Sequence, residues 1–224
     1  MNLDALLLSF RLAAVVSAIL LLLALPLAYW LAFTRWRGKF LLESVVALPL
    51  VLPPTVLGFY ALIALGPRGP LGRLWQFLFG HTLAFTFAGL VIASLVYSLP
   101  FAVQPLVAGF AAVQTNLVDA ARLLGAGSVR IVFSLLVPLA RRSLMAAAVL
   151  SFLHTVGEFG VVLMLGGDIP GATRTLSIVL YNQVESFNYA AATRTAAILL
   201  GLSVVALAVL YSKGEKRGSA GRRA

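Results

Sequence analysis

The sequence predicts an all-α integral membrane protein with about five transmembrane helices, and three observations carry that prediction. Mean hydropathy is +1.01 and only 11% of the 224 residues are charged, against about 25% in soluble domains. Apolar runs recur at lengths near the roughly 20 residues that a bilayer-spanning helix needs. Strict two-residue alternation is absent, and lipid offers the backbone no hydrogen-bond partners, so the spans read as helices.

In chain order the predicted spans are residues Leu12–Phe33, Leu42–Leu65, Leu83–Pro105, Ser143–Leu165 and Thr195–Tyr211. The first is too long for a signal peptide, has no basic segment before it, and is preceded by Asp4, so it reads as a retained span. Leu74–His81 is apolar but too short to cross. Leu176–Ala192 holds Asn182, Gln183, Glu185 and Asn188, too polar to face lipid, and reads as a helix at the membrane surface or in a protein-lined vestibule. Residues 7–211 form one transmembrane domain, and 212–224 a short basic tail.

The charge balance sets an orientation. Net charge is +10, with 17 Lys and Arg against seven acids and no cysteine. The missing thiols exclude disulfides, thiolate metal sites and a Cys nucleophile. Twelve of the 17 basic residues fall on one side of the predicted membrane: Arg35, Arg37, Lys39, Arg122, Arg130, Arg141, Arg142 and the tail from Lys213. The positive-inside rule makes that side cytoplasmic, with the N-terminus outside and the C-terminus inside. No basic strand interleaved with aromatics is present, so nucleic acid is not an expected partner.

The longest loop on that side interrupts the apolar chain with D-A-A-R-L-L-G-A-G-S, Asp119–Ser128. Asn116 can cap a helix, with Asp119 three residues on as a variant capping box. Leu117, Ala120, Ala121 and Leu124 share one helical face. Gly125 is a natural stop, Ser128 can cap a second helix, and Pro138 disrupts its end. Such a pair can lie on the membrane surface, or its small side chains can let a soluble partner approach the backbone. Gly125-Ala126-Gly127 is no phosphate loop, because no third glycine follows and the chain has no G-x4-G-K-[S/T].

Two spans carry unusual chemistry. The second contains Pro49, Pro53, Pro54 and Thr55. Its prolines remove backbone donors and should break the helix, either as a packing kink or beside a pathway. The fourth contains H-T-V-G-E-F-G, His154–Gly160. Intramembrane ionisable residues are functional candidates because burying them is costly. His154 and Glu158 stand at i, i+4 and can pair on one face, with Gly157 and Gly160 at a helix–helix contact. As a metal site the motif supplies only two ligands. As an acid–base pair it has no accompanying nucleophile or oxyanion hole, so the catalytic reading of an intramembrane enzyme lacks a third group.

The pattern D-A-A-x-x-x-G, nine residues, then L-L-V-P resembles the EAA loop of ABC importer permeases. The match falls on Asp119, Ala120, Ala121, Gly125 and Pro138; Asp for Glu, Leu135 for Ile and Val137 for Leu are mild departures. L-P-L-V-L-P-P, the G-E-F-G box and I-P-G-A-T-R-T narrow the resemblance to molybdate permeases, within the molybdate, sulfate and tungstate group. The resemblance implies a homodimer in the bacterial inner membrane around a central pathway. Two cytoplasmic ATPase subunits would be driven against the 119–138 loop, and a periplasmic oxyanion-binding protein would dock outside. It also implies that this chain binds no cofactor, metal or ATP itself and catalyses no covalent step. Pro53, Pro54, Thr55, His154, Gly157, Glu158 and Gly160 are the expected pathway or gate residues. A passive channel would have no use for the loop.

Overall fold

A computed structural model describes residues 2–215 and is all-helical among them. From residue 216 onward the predicted basic tail lies outside the described residues. The first helix, α1, runs Leu3–Phe33, and the Asn2 side chain caps it by accepting from the Ala5 amide at 3.1 Å. It begins nine residues before the predicted span, because that cap and Asp4 in the first turn both favour a helix N-terminus.

The second predicted span is broken, as its prolines require. Helix α2 (Lys39–Val51) and α3 (Pro54–Leu65) meet at 111°. Each residue before a proline is pushed out of the α region, and Leu52 (ψ 137°) and Pro53 (ψ 137°) are both extended. A short amphipathic helix, α4 (Pro70–Phe79), follows. Then comes α5 (Phe87–Ala111), whose Thr86 cap accepts from the Gly89 amide at 3.2 Å.

Between α5 and the next long helix lie α6 (Thr115–Leu123) and α7 (Ser128–Ile131), a π-helical turn over Val132–Leu136, and α8 (Val137–Leu139). The chain bends by 88° into α9 (Arg141–Gly157). The fourth predicted span does not continue straight from there. It breaks after Gly157, and α10 (Gly160–Gly166) packs against α3. Helix α11 (Leu176–Glu185) and α12 (Tyr189–Glu215) complete the chain. Among the described residues three helices, α1, α5 and α12, are long and apolar enough to cross a membrane alone, and the number rises to as many as five if each of the two bent pairs is one span.

The core is the packing of α1, α5 and α9. Leu12, Val16, Leu20 and Leu31 meet Leu90, Val103, Leu106, Phe110 and Ala147, all buried. Gly109 marks the tightest crossing, since a Cβ there would lie 2.2 Å from Ser143 Oγ. Val118, Ile131, Val132 and Leu136 of the α6–α8 segment belong to the same core, so that loop is packed into the bundle. A smaller cluster joins Leu65 of α3 to Ala93, Val161 and Leu165.

The 166–175 connection is held by side chains. Thr173 Oγ1 donates to Gly166 O at 2.7 Å and accepts from the Ile169 amide. Asp168 accepts from Arg174 and, at 2.7 Å, from Asn182 Nδ2 of α11. The first turn of α11, Leu176–Val179, is buried, with the Leu176 amide donating to Ser9 Oγ at 2.8 Å, whereas Glu185 and Asn188 are exposed.

Candidate functional site

Two regions gather the residues singled out above. The first is the loop. Helix α6 starts at Thr115 after Gln114, and no side chain caps it, so Asn116 and Asp119 do not form the expected capping box. Ser128 likewise starts α7 from inside, after Gly127. Gly125 ends α6 as anticipated. At φ +79° it donates to Arg122 O at 2.9 Å, and Ala126 donates to Ala121 O at 3.0 Å, the paired bonds of a Schellman stop.

The buried residue of α6 is Val118, not the predicted face of Leu117, Ala120, Ala121 and Leu124, of which only Ala121 is half-buried. Leu123 and Leu124 are 89% and 88% exposed, and Leu117, Val129 and Phe133 stand out near them. Asp119, Ala120 and Gly125 share that exposed side, while Pro138 sits in α8 just before the bend. Sequence reasoning missed Tyr29. Arg122 pairs with Asp119 at 3.1 Å, donates to the Tyr29 hydroxyl at 3.0 Å and lies over the Phe33 ring, tying the loop to the end of α1. No pattern in the sequence marks that link across 93 positions.

The second region is a cavity of about 410 Å³ where both broken spans meet. Pro54 and Thr55 at the start of α3 line it, opposite His154, Gly157, Glu158 and Gly160. Six of the seven expected pathway residues are thus brought together, and only Pro53, the cap of α3, stays out of the lining. Tyr97, Leu153 and Phe159 also line it and were not anticipated. A tyrosine and the spaced serines Ser94 and Ser98 within an apolar span were the available signal.

The expected His154–Glu158 pair does not form. The helix ends between them, with Glu158 extended (φ −65°, ψ 131°), so the i, i+4 relation is lost. His154 Nδ1 instead bonds Ser98 Oγ at 2.9 Å, Ser98 contacts Thr155 Oγ1 at 3.0 Å, and Phe101 stacks on the imidazole with centroids 3.9 Å apart. Glu158 is 3% exposed and neither of its carboxyl oxygens has a hydrogen-bond partner. Gly160 brings α10 against α3: a Cβ there would lie 2.8 Å from Pro54 Cβ and 3.4 Å from the Thr55 nitrogen.

A bent-helix membrane bundle with an exposed apolar loop rooted in its core, and a polar break at mid-span, has the architecture of a transport subunit. Residues 24–214 match the family model described as the binding-protein-dependent transport system inner membrane component, and the chain belongs to that family. It is 51% identical over 211 residues to the molybdenum transport system permease protein ModB of Azotobacter vinelandii, covering 94% of this chain and 93% of that protein. It is 36% identical over 199 residues to ModB of Escherichia coli K12, with 87% of each covered. Its fold is similar to a chain of the bacterial alginate ABC transporter in complex with its alginate pentasaccharide-bound periplasmic protein, at a TM-score of 0.71 and 15% identity, covering 93% of this chain and 75% of that one. The family resemblance is therefore borne out: the chain is a multi-pass inner-membrane transport component rather than an enzyme, within a binding-protein-dependent ABC system.

Proposed function

We propose that the chain is the permease subunit of an ATP-driven importer of molybdate. It works as a homodimer, with two ATPase subunits on the cytoplasmic side and a periplasmic oxyanion-binding protein outside. The observation that carries the coupling is the loop from Asp119 to Pro138. Its exposed Leu123, Leu124, Val129 and Phe133 offer a soluble partner an apolar face, while Val118, Ile131 and Leu136 root it in the transmembrane core. The names of the relatives from A. vinelandii and E. coli supply the cargo.

In this reading the loop faces the cytoplasm, where the basic residues cluster, and the N-terminus lies outside. ATP is held by the partner subunit, and its closure moves the loop. Arg122, bonded to Tyr29, and the buried loop residues pass that movement to α1, α5 and α9. The helices then rock between outward- and inward-open forms around the Pro54–Glu158 cavity, which lies on the pathway. Among the described residues no Lys or Arg lines the cavity, so cargo is held weakly there and released faster than the motor turns, and selectivity rests mainly with the binding protein.

The test is ATP-driven uptake of labelled molybdate by liposomes holding the complete transporter, with tungstate and sulfate as competitors. Uptake blocked by tungstate and indifferent to sulfate is the expected result. Uptake of sulfate moves the cargo to the sister group, and no uptake of any oxyanion overturns the cargo class.

A further inference from the structure

We infer that the turn between α3 and α4 binds an anionic phospholipid, its phosphate on Arg68 and Arg73, with α4 lying in the membrane interface beside it. The site is independent of the cargo and of the transport cycle.

Helix α4 cannot cross a bilayer. Its ten residues span about 15 Å, against a hydrocarbon core of about 30 Å. Pro70 opens it at the first helical position, and Gly80, at φ +75°, closes it. It lies at one end of the bundle, because Leu65, the last residue of α3, packs with Leu83 and Ala84 shortly before α5 begins. Two close approaches hold it there. A Cβ at Gly69 would lie 2.1 Å from Ile63 O, and one at Gly72 would lie 1.9 Å from Gly66 O. Trp75 is half-buried against the Leu65 cluster.

The rest of α4 has two sides. Leu71, Leu74 and Leu78, at i, i+3 and i+7, form an exposed apolar face, and Phe77 beside them is 86% exposed. Arg73 and Gln76 stand on the opposite side, also exposed. Leucines and aromatics on one face with arginine on the other suit a helix that lies in the plane of a membrane surface.

A hollow of about 610 Å³ opens next to it. Leu62 and Ile63 of α3 form its apolar wall, and the Gly66–Pro70 turn, carrying Arg68, forms the remainder. An acyl chain matches the wall, and a phosphate matches the guanidinium. Arg174 pairs with Asp168 and Arg11 lies over the Phe87 ring, whereas Arg68 and Arg73 make no ion pair among the described residues. The sequence has no acid between Glu43 and Asp119, so the local field is positive and attracts anionic headgroups.

Other occupants suit the surface less well. A second copy docked here by two-fold symmetry would bring four arginines together with no acid in the segment to offset them. A soluble partner would return Leu74, Phe77 and Leu78 to water each time it left, whereas lipid covers them throughout. A lipid held here fixes the end of α3, while the other end of that helix, Pro54 and Thr55, borders the cavity between the broken spans.

The test uses the complete transporter in nanodiscs, without ATP. Native mass spectrometry should show phosphatidylglycerol retained in preference to phosphatidylcholine. Arg68→Gln should weaken that retention about fivefold, the weight of one arginine at an anionic membrane surface, and millimolar inorganic phosphate should not displace the lipid. The second readout leaves both arginines in place. The chain has no cysteine, so Leu74→Cys and Gln76→Cys each report one side of α4 to a membrane-impermeant sulfonated thiol reagent. Leu74→Cys should lose most of its labelling relative to Gln76→Cys, with or without the binding protein. Equal retention of the two lipids, wild-type retention in Arg68→Gln, displacement by phosphate or equal labelling at the two positions overturns the site. Protection of Leu74→Cys only when the binding protein is present also overturns it and makes α4 a dock for that protein.

Discussion

Gly160→Ala tests whether the contact between α10 and α3 sets the geometry of the cavity. The added methyl would sit 2.8 Å from Pro54 Cβ, 3.4 Å from Pro54 C and 3.4 Å from the Thr55 nitrogen. Carbon atoms rest at about 3.5–4.0 Å, so the two helix starts must part by about 0.7–1.2 Å. The obstacle is a proline ring fixed to its backbone, which has no rotamer to retreat into. Val162 belongs to the main core and Val161 and Leu165 pack with Leu65 of α3, so moving α10 outward to relieve the strain breaks buried contacts. Overpacking of this kind costs about 1–3 kcal/mol, and each kcal/mol lowers Tm by about 2–4 °C for a chain of this size. Gly157→Ala is the matched control. Its methyl meets nothing within 4 Å, and losing a glycine at a compatible position stabilises by about 0.4–1 kcal/mol. The assay is the thermal midpoint of both variants and wild type, purified in one detergent. A Gly160→Ala midpoint at or above wild type, or an equal fall in Gly157→Ala, refutes the reasoning.

The loop gives further expectations. Asp119→Lys should let ATP hydrolysis continue while uptake fails, and normal ATP-driven uptake would sink the coupling role. Gly125→Val should do the same by another route: φ +79° costs a side-chain-bearing residue about 1–2 kcal/mol, more when it is β-branched, and the Schellman stop is lost. Tyr29→Phe removes the acceptor for Arg122 at an exposed site, so stability should change by less than about 1 kcal/mol. The ATP consumed per molybdate imported should nevertheless rise, and an unchanged ratio would show that the tie transmits nothing. Asp168→Ala leaves Arg174 and Asn182 without their shared acceptor, at about 1–3 kcal/mol. Trypsin should then cut after Arg174 faster, which peptide mapping reads directly.

The first, third and fifth spans were legible because apolar length alone identifies them, and the break in the second because Pro53 and Pro54 each forbid the helical conformation before them. Gly125 was legible as a stop for a similar local reason. The buried face of α6 was not. Leucines on a short helix register equally whether they pack on their own core or await a partner outside the chain. Periodicity therefore selected Leu117 and Leu124, and the residue that anchors the helix is Val118. The His154–Glu158 pairing failed because spacing arguments assume an unbroken helix, and the break after Gly157 contains no proline to announce it. The cavity gathered six predicted residues from two spans, yet their meeting depends on the 111° fold between α2 and α3, an angle no local pattern specifies.

The 88° bend at Ala140 makes the loop and α9 the two arms of a bell crank. The arm from Ser128 to Leu139 has 12 residues and is about 18 Å long, while the 17 residues of α9 span about 25 Å. Its elbow is seated in the bundle by Leu136 and Ala140, both buried. With the elbow fixed, a push of about 3 Å at the loop turns the crank by about 10° and carries the far end of α9 sideways by about 4 Å. That far end holds Leu153, His154 and Gly157, one wall of the cavity. The stroke exceeds the length of a hydrogen bond, about 3 Å, so one modest displacement of the loop is geared up to make or break polar contacts at the cavity.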